Sequence, residues 1–250
     1  MSTSTLHGKS ALVTGGARRI GRAIALALAQ AGADLAITYL NSRAEAEQTV
    51  REIETLGCRA IAIQCDVRSE ISVRQAVAAA STEFGKLNIL VNNAAVFDSA
   101  PLEQISLAQW NTAFETNTRG PFLVAREAIP HLRAASGRIV NIGSLGGIHA
   151  WATHAHYCSS KAALHMLTQA MAKAFAPQVS VNCVAPGWIQ FDRNEPGEDP
   201  GDDARRFAAG TPMKRNGTAD EVAQAVLFFA TGPSFVTGQI LSVDGGLGLV

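Results

Sequence analysis

Tyr157 and Lys161 stand four positions apart in a stretch with helical patterning, a spacing that sets both side chains on one face of a helix. A phenol beside an ammonium is a proton-transfer pair. A free tyrosine, with a pKa of about 10, holds its proton too tightly to serve as a base near neutrality, and a nearby cation stabilises the phenolate. Ser144 lies upstream, just past a run that reads as a strand. There it adds a hydroxyl able to bond an oxygen whose charge is changing. The three groups suit a reaction in which a hydride moves at a carbon while a proton moves at the attached oxygen. Tyr157 would pass the proton, Ser144 would hold the oxygen and Lys161 would set the acidity of the tyrosine. The Tyr-x-x-x-Lys spacing alone is common; Ser144 at the carboxyl edge of a sheet, where ligands bind in open α/β folds, gives it weight.

A second cluster sits near the N-terminus, where Thr14-Gly15-Gly16-Ala17-Arg18-Arg19-Ile20-Gly21 follows a strand-like run and opens a helix. Glycines let a backbone approach a pyrophosphate, and the free N–H groups of the helix start face the anion. A dinucleotide is therefore expected. The next strand ends in Thr38-Tyr39-Leu40-Asn41-Ser42-Arg43, without the acidic residue that binds an unphosphorylated ribose. Arg18, Arg19, Ser42 and Arg43 instead offer the cations and hydroxyl that a 2′-phosphate requires, so the cofactor is expected to be NADP(H).

Strand-like runs at Ala11–Thr14, Leu35–Tyr39, Ala60–Gln64, Ile89–Val91, Arg138–Ile142, Ser180–Val184 and Gln239–Val243 carry these residues. They alternate with helical stretches at Ile20–Ala31, Arg43–Leu56, Ser72–Phe84, Leu107–Leu132, Tyr157–Phe175 and Ala219–Ala230. Repeated βαβ units of this kind predict an α/β fold: a single-domain, doubly wound Rossmann fold over residues 1–250, with a seven-stranded parallel sheet flanked by helices. The Gly-, Pro- and charge-rich stretch at 190–217 breaks the rhythm, and its length predicts a flexible lid.

Composition narrows the partners. Hydrophobic residues make up 47% and charged residues 17%, as suits a sheet buried on both faces. Lys plus Arg and Asp plus Glu both number 21, so no net field draws the chain to nucleic acid or an anionic membrane, and a small-molecule substrate is expected. Cys58, Cys65, Cys158 and Cys183 show neither disulfide nor zinc spacing, and no metal site is expected. With no signal-like or membrane-length apolar run, the reading is a cytoplasmic protein.

In its motifs the chain resembles the short-chain dehydrogenase/reductase superfamily over nearly its full length. Besides Thr14–Gly21 and the Ser144, Tyr157, Lys161 set, it carries Asp66-Val67, Asn92-Asn93-Ala94-Ala95, Asn117, Pro186-Gly187 and Asp244-Gly245-Gly246 in the family's order. The resemblance implies a catalytic set of Asn117, Ser144, Tyr157 and Lys161, with Asn117 holding a water that relays protons to Lys161. It implies cofactor contacts from Gly15, Arg18, Arg19, Ile20, Gly21, Ser42, Arg43, Asp66 (to the adenine), Val67, Asn93, Ala94, Tyr157, Lys161 (to the nicotinamide ribose), Pro186, Gly187 and Ile189, with Asn92 and Ala94 shaping the cleft. It also implies a homotetramer joined through the long helices.

Two positions depart from the commonest family pattern: the middle fingerprint glycine is Arg19, and the Thr a few residues after Pro-Gly is Phe191. The Arg-Arg-Ile-Gly form is similar to that of pteridine reductases, but those carry Asp where this chain has Ser144, which suits a ketone or other carbonyl. The alternatives are a pteridine reductase-like C=N reductase and a catalytically silent NADP(H)-binding regulator. The regulator would be expected to lack Tyr157 or Lys161. A sugar-nucleotide epimerase or dehydratase would need a larger C-terminal substrate domain. Trp151, Trp188 and Phe191, with His149, His154 and His156 nearby, are candidates for the wall of a pocket taking a flat or aromatic substrate.

Overall fold

The structure, a computed structural model, describes residues 5–190 and 201–250. Seven strands form one sheet: β1 (Ser10–Val13), β2 (Asp34–Tyr39), β3 (Ala60–Gln64), β4 (Ile89–Asn92), β5 (Arg138–Ile142), β6 (Ser180–Pro186) and β7 (Ile240–Val243). Every pairing is parallel, in the order β3-β2-β1-β4-β5-β6-β7. Helices α1 (Arg19–Gln30), α2 (Arg43–Thr55), α3 (Glu70–Phe84), α4 (Leu107–Phe114), α5 (Gly120–Ala134), α6 (Ala155–Phe175), α7 (Gly201–Gly210) and α8 (Ala219–Thr231) complete the described elements.

Alternation along each strand sends successive side chains to opposite faces, and the central strands are apolar on both. Val13, Ile89, Val91 and Val140 enter one core with Ile24 and Leu28 of α1 and Val226 of α8. Their neighbours Leu12, Leu90 and Ile139 enter the other, with Val77 of α3, Leu132 of α5 and Met171 of α6. Local signals start and stop the helices as expected: Ser69 caps α3 through the Ser72 N–H, Gly85 ends it at φ 70°, and capping boxes begin α4 (Ser106, Gln109) and α8 (Thr218, Glu221).

Two elements differ from the sequence reading. The single helix expected over Leu107–Leu132 is α4 and α5 joined by a π-helical turn at Glu115–Arg119. Pro121 has no N–H for the Asn117 carbonyl, so the i→i+4 ladder cannot continue there and the turn widens. In the stretch 190–217, expected to be a lid without regular structure, the described part contains helix α7. Its base is closed by a short parallel bridge, with Gln190 N–H on Gly217 O and Gly217 N–H on Trp188 O.

Buried polar groups join sheet to helix at the site end. Asn92 donates to Asn141 (2.8 Å), Asn141 donates to Thr168 (2.9 Å), and the Thr168 hydroxyl donates to Leu164 O (2.8 Å). All three side chains are buried. Thr168→Val keeps the shape but leaves the Asn141 amide without its acceptor, and should cost about 1–3 kcal/mol, read as a lower urea midpoint at unchanged m. A loss below about 0.5 kcal/mol would show that this chain does not couple α6 to the sheet.

Candidate active site

The strand order reverses between β1 and β4, and a cleft of about 640 Å³ opens at the carboxyl ends of the strands. At one end the turn after β1 contributes Gly15, Arg18, Arg19, Ile20 and Gly21, and the ends of β2 and β3 contribute Ser42, Asp66, Val67 and Arg68. At the other end lie Ser144, Tyr157, Lys161, Pro186, Gly187, Trp188 and Ile189, with Asn93 and Ala94 between.

The glycines of the first turn are there for close packing. Gly15 adopts φ +64° and closes against Ala94, while a Cβ on Gly16 would stand 2.7 Å from Ile37. Arg19 holds a left-handed φ of 52° at the position where the family commonly has glycine. For a side chain with a Cβ this conformation costs about 1 kcal/mol or more.

Around Ser144 the hydrogen bonds have a direction. Its Oγ accepts the Gly146 N–H at 3.0 Å, which leaves the hydroxyl proton available to an oxygen in the cleft. The Ser144 N–H reaches His165 Nε2 at 3.4 Å. Burial and the neighbouring Lys161 charge push His165 down to about 4, so the ring is neutral near pH 7 and free to accept. The catalytic loop wraps this ring closely enough that a Cβ on Gly147 would fall 2.6 Å from it.

Lys161 is buried, with Nζ donating to Ile142 O at 2.8 Å and lying 5.8 Å from the centre of the Tyr157 ring. Burial pushes the ammonium down to about 8. The sequence reading expected Lys161 to lower the pKa of Tyr157. The phenol is instead pushed up to about 12, because burial outweighs its hydrogen bond with Ser144. Burial is the physical cause, and the phenol keeps its proton near neutrality.

Other expected residues fall differently. Arg43 lies outside the cleft lining, exposed and paired with Glu47 at 2.8 Å. Asn92 is buried behind the wall on Asn141. The Asn117 side chain does not line the cleft; it clamps Val96 (N–H to Oδ1 2.9 Å, Nδ2 to O 3.0 Å) and donates to Ser160 at 3.0 Å, tying the segment after β4 to the helix that carries Tyr157. Any water bound at Asn117 would need its backbone carbonyl, since both side-chain amide protons are taken. Asp66 lines the cleft with its carboxylate chelated by Arg68, which holds it below the usual carboxylate range. His149 is exposed, His154 lies outside the lining stacked on Phe97, and His156 is buried with neither ring nitrogen hydrogen-bonded among the described residues. Trp151 and Trp188 line the cleft, whereas Phe191 lies outside the described residues. Sequence reasoning missed Arg68, Phe97 and Thr112, all of them lining residues. Arg68, two positions past Asp66, and Phe97, two past the Asn-Asn-Ala-Ala motif, were within reach of it.

Comparison with known proteins follows the geometry. The family described as Enoyl-(Acyl carrier protein) reductase matches residues 15–248. A short-chain dehydrogenase of Burkholderia cenocepacia, solved in complex with NADP, superposes with a TM-score of 0.90 at 40% identity, over 97% of this chain and 99% of that one. The chain belongs to the short-chain dehydrogenase/reductase superfamily. This superfamily member is also 35% identical over 242 residues to the 3-oxoacyl-[acyl-carrier-protein] reductase of Staphylococcus epidermidis, spanning 96% of this chain and 98% of that protein. A blue fluorescent protein from a metagenomic library, in complex with NADPH, matches at 38% identity and TM-score 0.90 over 97% and 99% of the two chains. As a member of this superfamily the protein is an oxidoreductase of the nicotinamide-dependent kind.

Burying an ammonium has a thermodynamic signature. The drop from 10.5 to about 8 at Lys161 corresponds to on the order of 3 kcal/mol of destabilisation near neutrality. A lysine lowered on folding gives a penalty that is full below the folded value and fades as pH rises from about 8 toward 10.5. Lys161→Met removes it and leaves only the Ile142 carbonyl without its donor, at about 1 kcal/mol. The inactive variant should therefore be more stable at pH 7 by about 1–2 kcal/mol in urea melts, with the gain shrinking by pH 10. A variant less stable at both pH values would show that the charge is compensated.

Proposed function

We propose that the protein is an NADP(H)-dependent reductase of a ketone or other carbonyl on a small molecule, built as one catalytic domain and working through Ser144, Tyr157 and Lys161. The observation that carries the reading is the direction of the site's protons. Ser144 has its lone pair engaged by Gly146 and a proton to give, and Tyr157 is held protonated by burial. Two hydroxyls that line one cleft and bond to each other suit a carbonyl oxygen that takes the place of one of them, gains negative charge and then a proton.

The cleft fits the dinucleotide. The bare backbone of Gly15, Gly16 and Gly21 at the start of α1 would receive the pyrophosphate, and Arg18, Arg19 and Ser42 surround the place of the 2′-phosphate with no carboxylate at the end of β2. Lys161 and Tyr157 would hold the nicotinamide ribose, and Pro186, Gly187 and Ile189 would back the ring. When bound, the reduced nicotinamide supplies the hydride. Ser144 then holds the substrate oxygen, Tyr157 delivers its proton, and Lys161 stabilises the phenolate left behind. Reprotonation of that phenolate draws on Lys161, whose ammonium, near pKa 8, is the more acidic partner.

Pterin C=N reduction keeps one supporting feature, the Arg18-Arg19 pair. Ser144 counts against it, because a hydroxyl cannot donate a proton to a ring nitrogen as a carboxylic acid does. A cytoplasmic location agrees with the absence, among the described residues, of any helix long and apolar enough to cross a membrane. A homotetramer agrees with two apolar surfaces: a groove on α4 to α6 lined by Trp110, Phe114, Phe122 and Leu167, and the exposed Phe228, Phe235 and Leu241 at α8 and β7. Light scattering that returned a monomer would remove that part of the reading.

Tyr157→Phe should lower carbonyl reduction by at least about a thousandfold while NADPH still binds, followed by NADPH absorbance and by fluorescence of the bound cofactor. Arg19→Gly separates two effects of one residue. Relief of the left-handed backbone should add about 1 kcal/mol of stability, while KM for NADPH rises about tenfold and that for NADH barely moves. Equal changes for the two cofactors would rule out Arg19 as a 2′-phosphate ligand.

A further inference from the structure

The proposed chemistry leaves the substrate open, and the walls beyond the catalytic hydroxyls narrow it. Phe97 lines the cleft and is 56% exposed, a large apolar ring set at the mouth of a site. It is not loose. His154 stacks on it at 4.6 Å and 18°, and it meets Tyr157 edge to face at 4.8 Å and 84°. Trp151 lies nearly parallel to Tyr157 (6.3 Å, 13°) and perpendicular to Phe97 (6.4 Å, 88°). Trp188 lines the cleft from the end of β6 and is stacked on Phe207 of α7 at 4.2 Å and 12°. Three cleft-lining rings are thus fixed, two of them by rings, His154 and Phe207, that do not themselves line the cleft. Such a wall is paid for before any ligand arrives, and it offers both stacked and edge-to-face contact to a flat ring.

Charge is distributed to match. Besides Lys161, whose ammonium donates to the Ile142 carbonyl, the charged lining side chains Arg18, Arg19, Asp66 and Arg68 belong to the loops after β1 and β3, at the nucleotide end. Around the catalytic hydroxyls the lining includes Val96, Phe97, Thr112, Thr116, Trp151 and Trp188, and among the described residues Thr112 and Thr116 are its hydrogen-bonding side chains besides the catalytic groups and the indole N–H of the tryptophans. A carboxylate would be desolvated there with Lys161, already bonded to a backbone carbonyl, as its one cation among the described residues, and the amino-oxo edge of a pterin or the amides of a pantetheine arm would meet few polar groups. We propose that the substrate is an uncharged ketone that carries an aromatic ring, the ring seated among Phe97, Trp151 and Trp188 and the carbonyl oxygen at Ser144 and Tyr157. This rests on the carbonyl reductase reading above. The carbonyl π bond breaks, the carbon gains the hydride of NADPH, the oxygen gains the Tyr157 proton, and the products are the corresponding secondary alcohol and NADP⁺.

A matched pair isolates the ring: 4-phenyl-2-butanone and 4-cyclohexyl-2-butanone share the reacting carbonyl and differ only in the aromatic end. The wild type should favour the phenyl ketone by about tenfold in kcat/KM, and Phe97→Leu and Trp188→Leu should each bring that ratio toward one through KM for the phenyl ketone. In parallel, the alcohols of both ketones are titrated into the enzyme–NADPH complex, and quenching of the bound-cofactor fluorescence reads affinity without turnover. The phenyl alcohol should bind more tightly, and Phe97→Leu should remove the difference. Ketone reduction with a ratio near one in the wild type, or a ratio that survives both substitutions, overturns the aryl pocket and leaves the reductase intact. No reduction of either ketone together with phenyl-selective, Phe97-dependent binding overturns the reductase reading and upholds the pocket. Neither reduction nor selective binding overturns both.

Discussion

Because all seven strands run the same way, their carboxyl ends share one edge of the sheet, and the reversal of order between β1 and β4 keeps the loops there from covering one another. Every group in the cleft depends on this constraint. The glycine turn follows β1, Asp66 follows β3, Asn93 and Ala94 follow β4, Ser144 follows β5 and Pro186 ends β6. Residues scattered along the chain meet because parallel register leaves their loops nowhere else to go. The polar links Asn92–Asn141–Thr168 then fix α6 against that edge, and with it Tyr157 and Lys161.

The cleft divides its electrostatics between two ends. At one, cations gather around a backbone turn and the single carboxylate, Asp66, is neutralised by Arg68. At the other, aromatic rings stand beside a phenol and a buried ammonium. The same burial that raises the first and lowers the second brings their proton affinities in opposite directions from their ordinary values. Stability is sacrificed at Lys161 and at the left-handed Arg19, both of them where a ligand would sit.

Most of the architecture was legible in the chain. The strands Ala60–Gln64 and Arg138–Ile142 have the bounds that their β-rich runs predict; the second is buried at four of its five positions, and the first, at the sheet edge, is only partly buried. The meeting of Ser144, Tyr157 and Lys161 in one cleft was legible too, through spacing and position after β5. What escaped the sequence was set by tertiary context. The π turn arises from one missing N–H at Pro121, a local event inside an otherwise helical pattern. Phe97 resembles any loop aromatic until His154 and Tyr157 close around it. Arg43 has the right charge and neighbourhood, yet Glu47, one helical turn on, holds it away from the cleft. The acidity of Tyr157 is set first by its burial, which no spacing records.

The bridge between Trp188–Gln190 and Gly217 ties the start of α8 to the segment that leaves β6, so both ends of the stretch that carries α7 are held at one point beside the sheet. Changing its length or composition need not shift the register of β6 or β7, and loop closure grows only slowly more costly with length. The fold therefore carries an exchangeable insert beside the cleft, whose residues could be rewritten without moving the strand ends and the helix that hold Ser144, Tyr157 and Lys161.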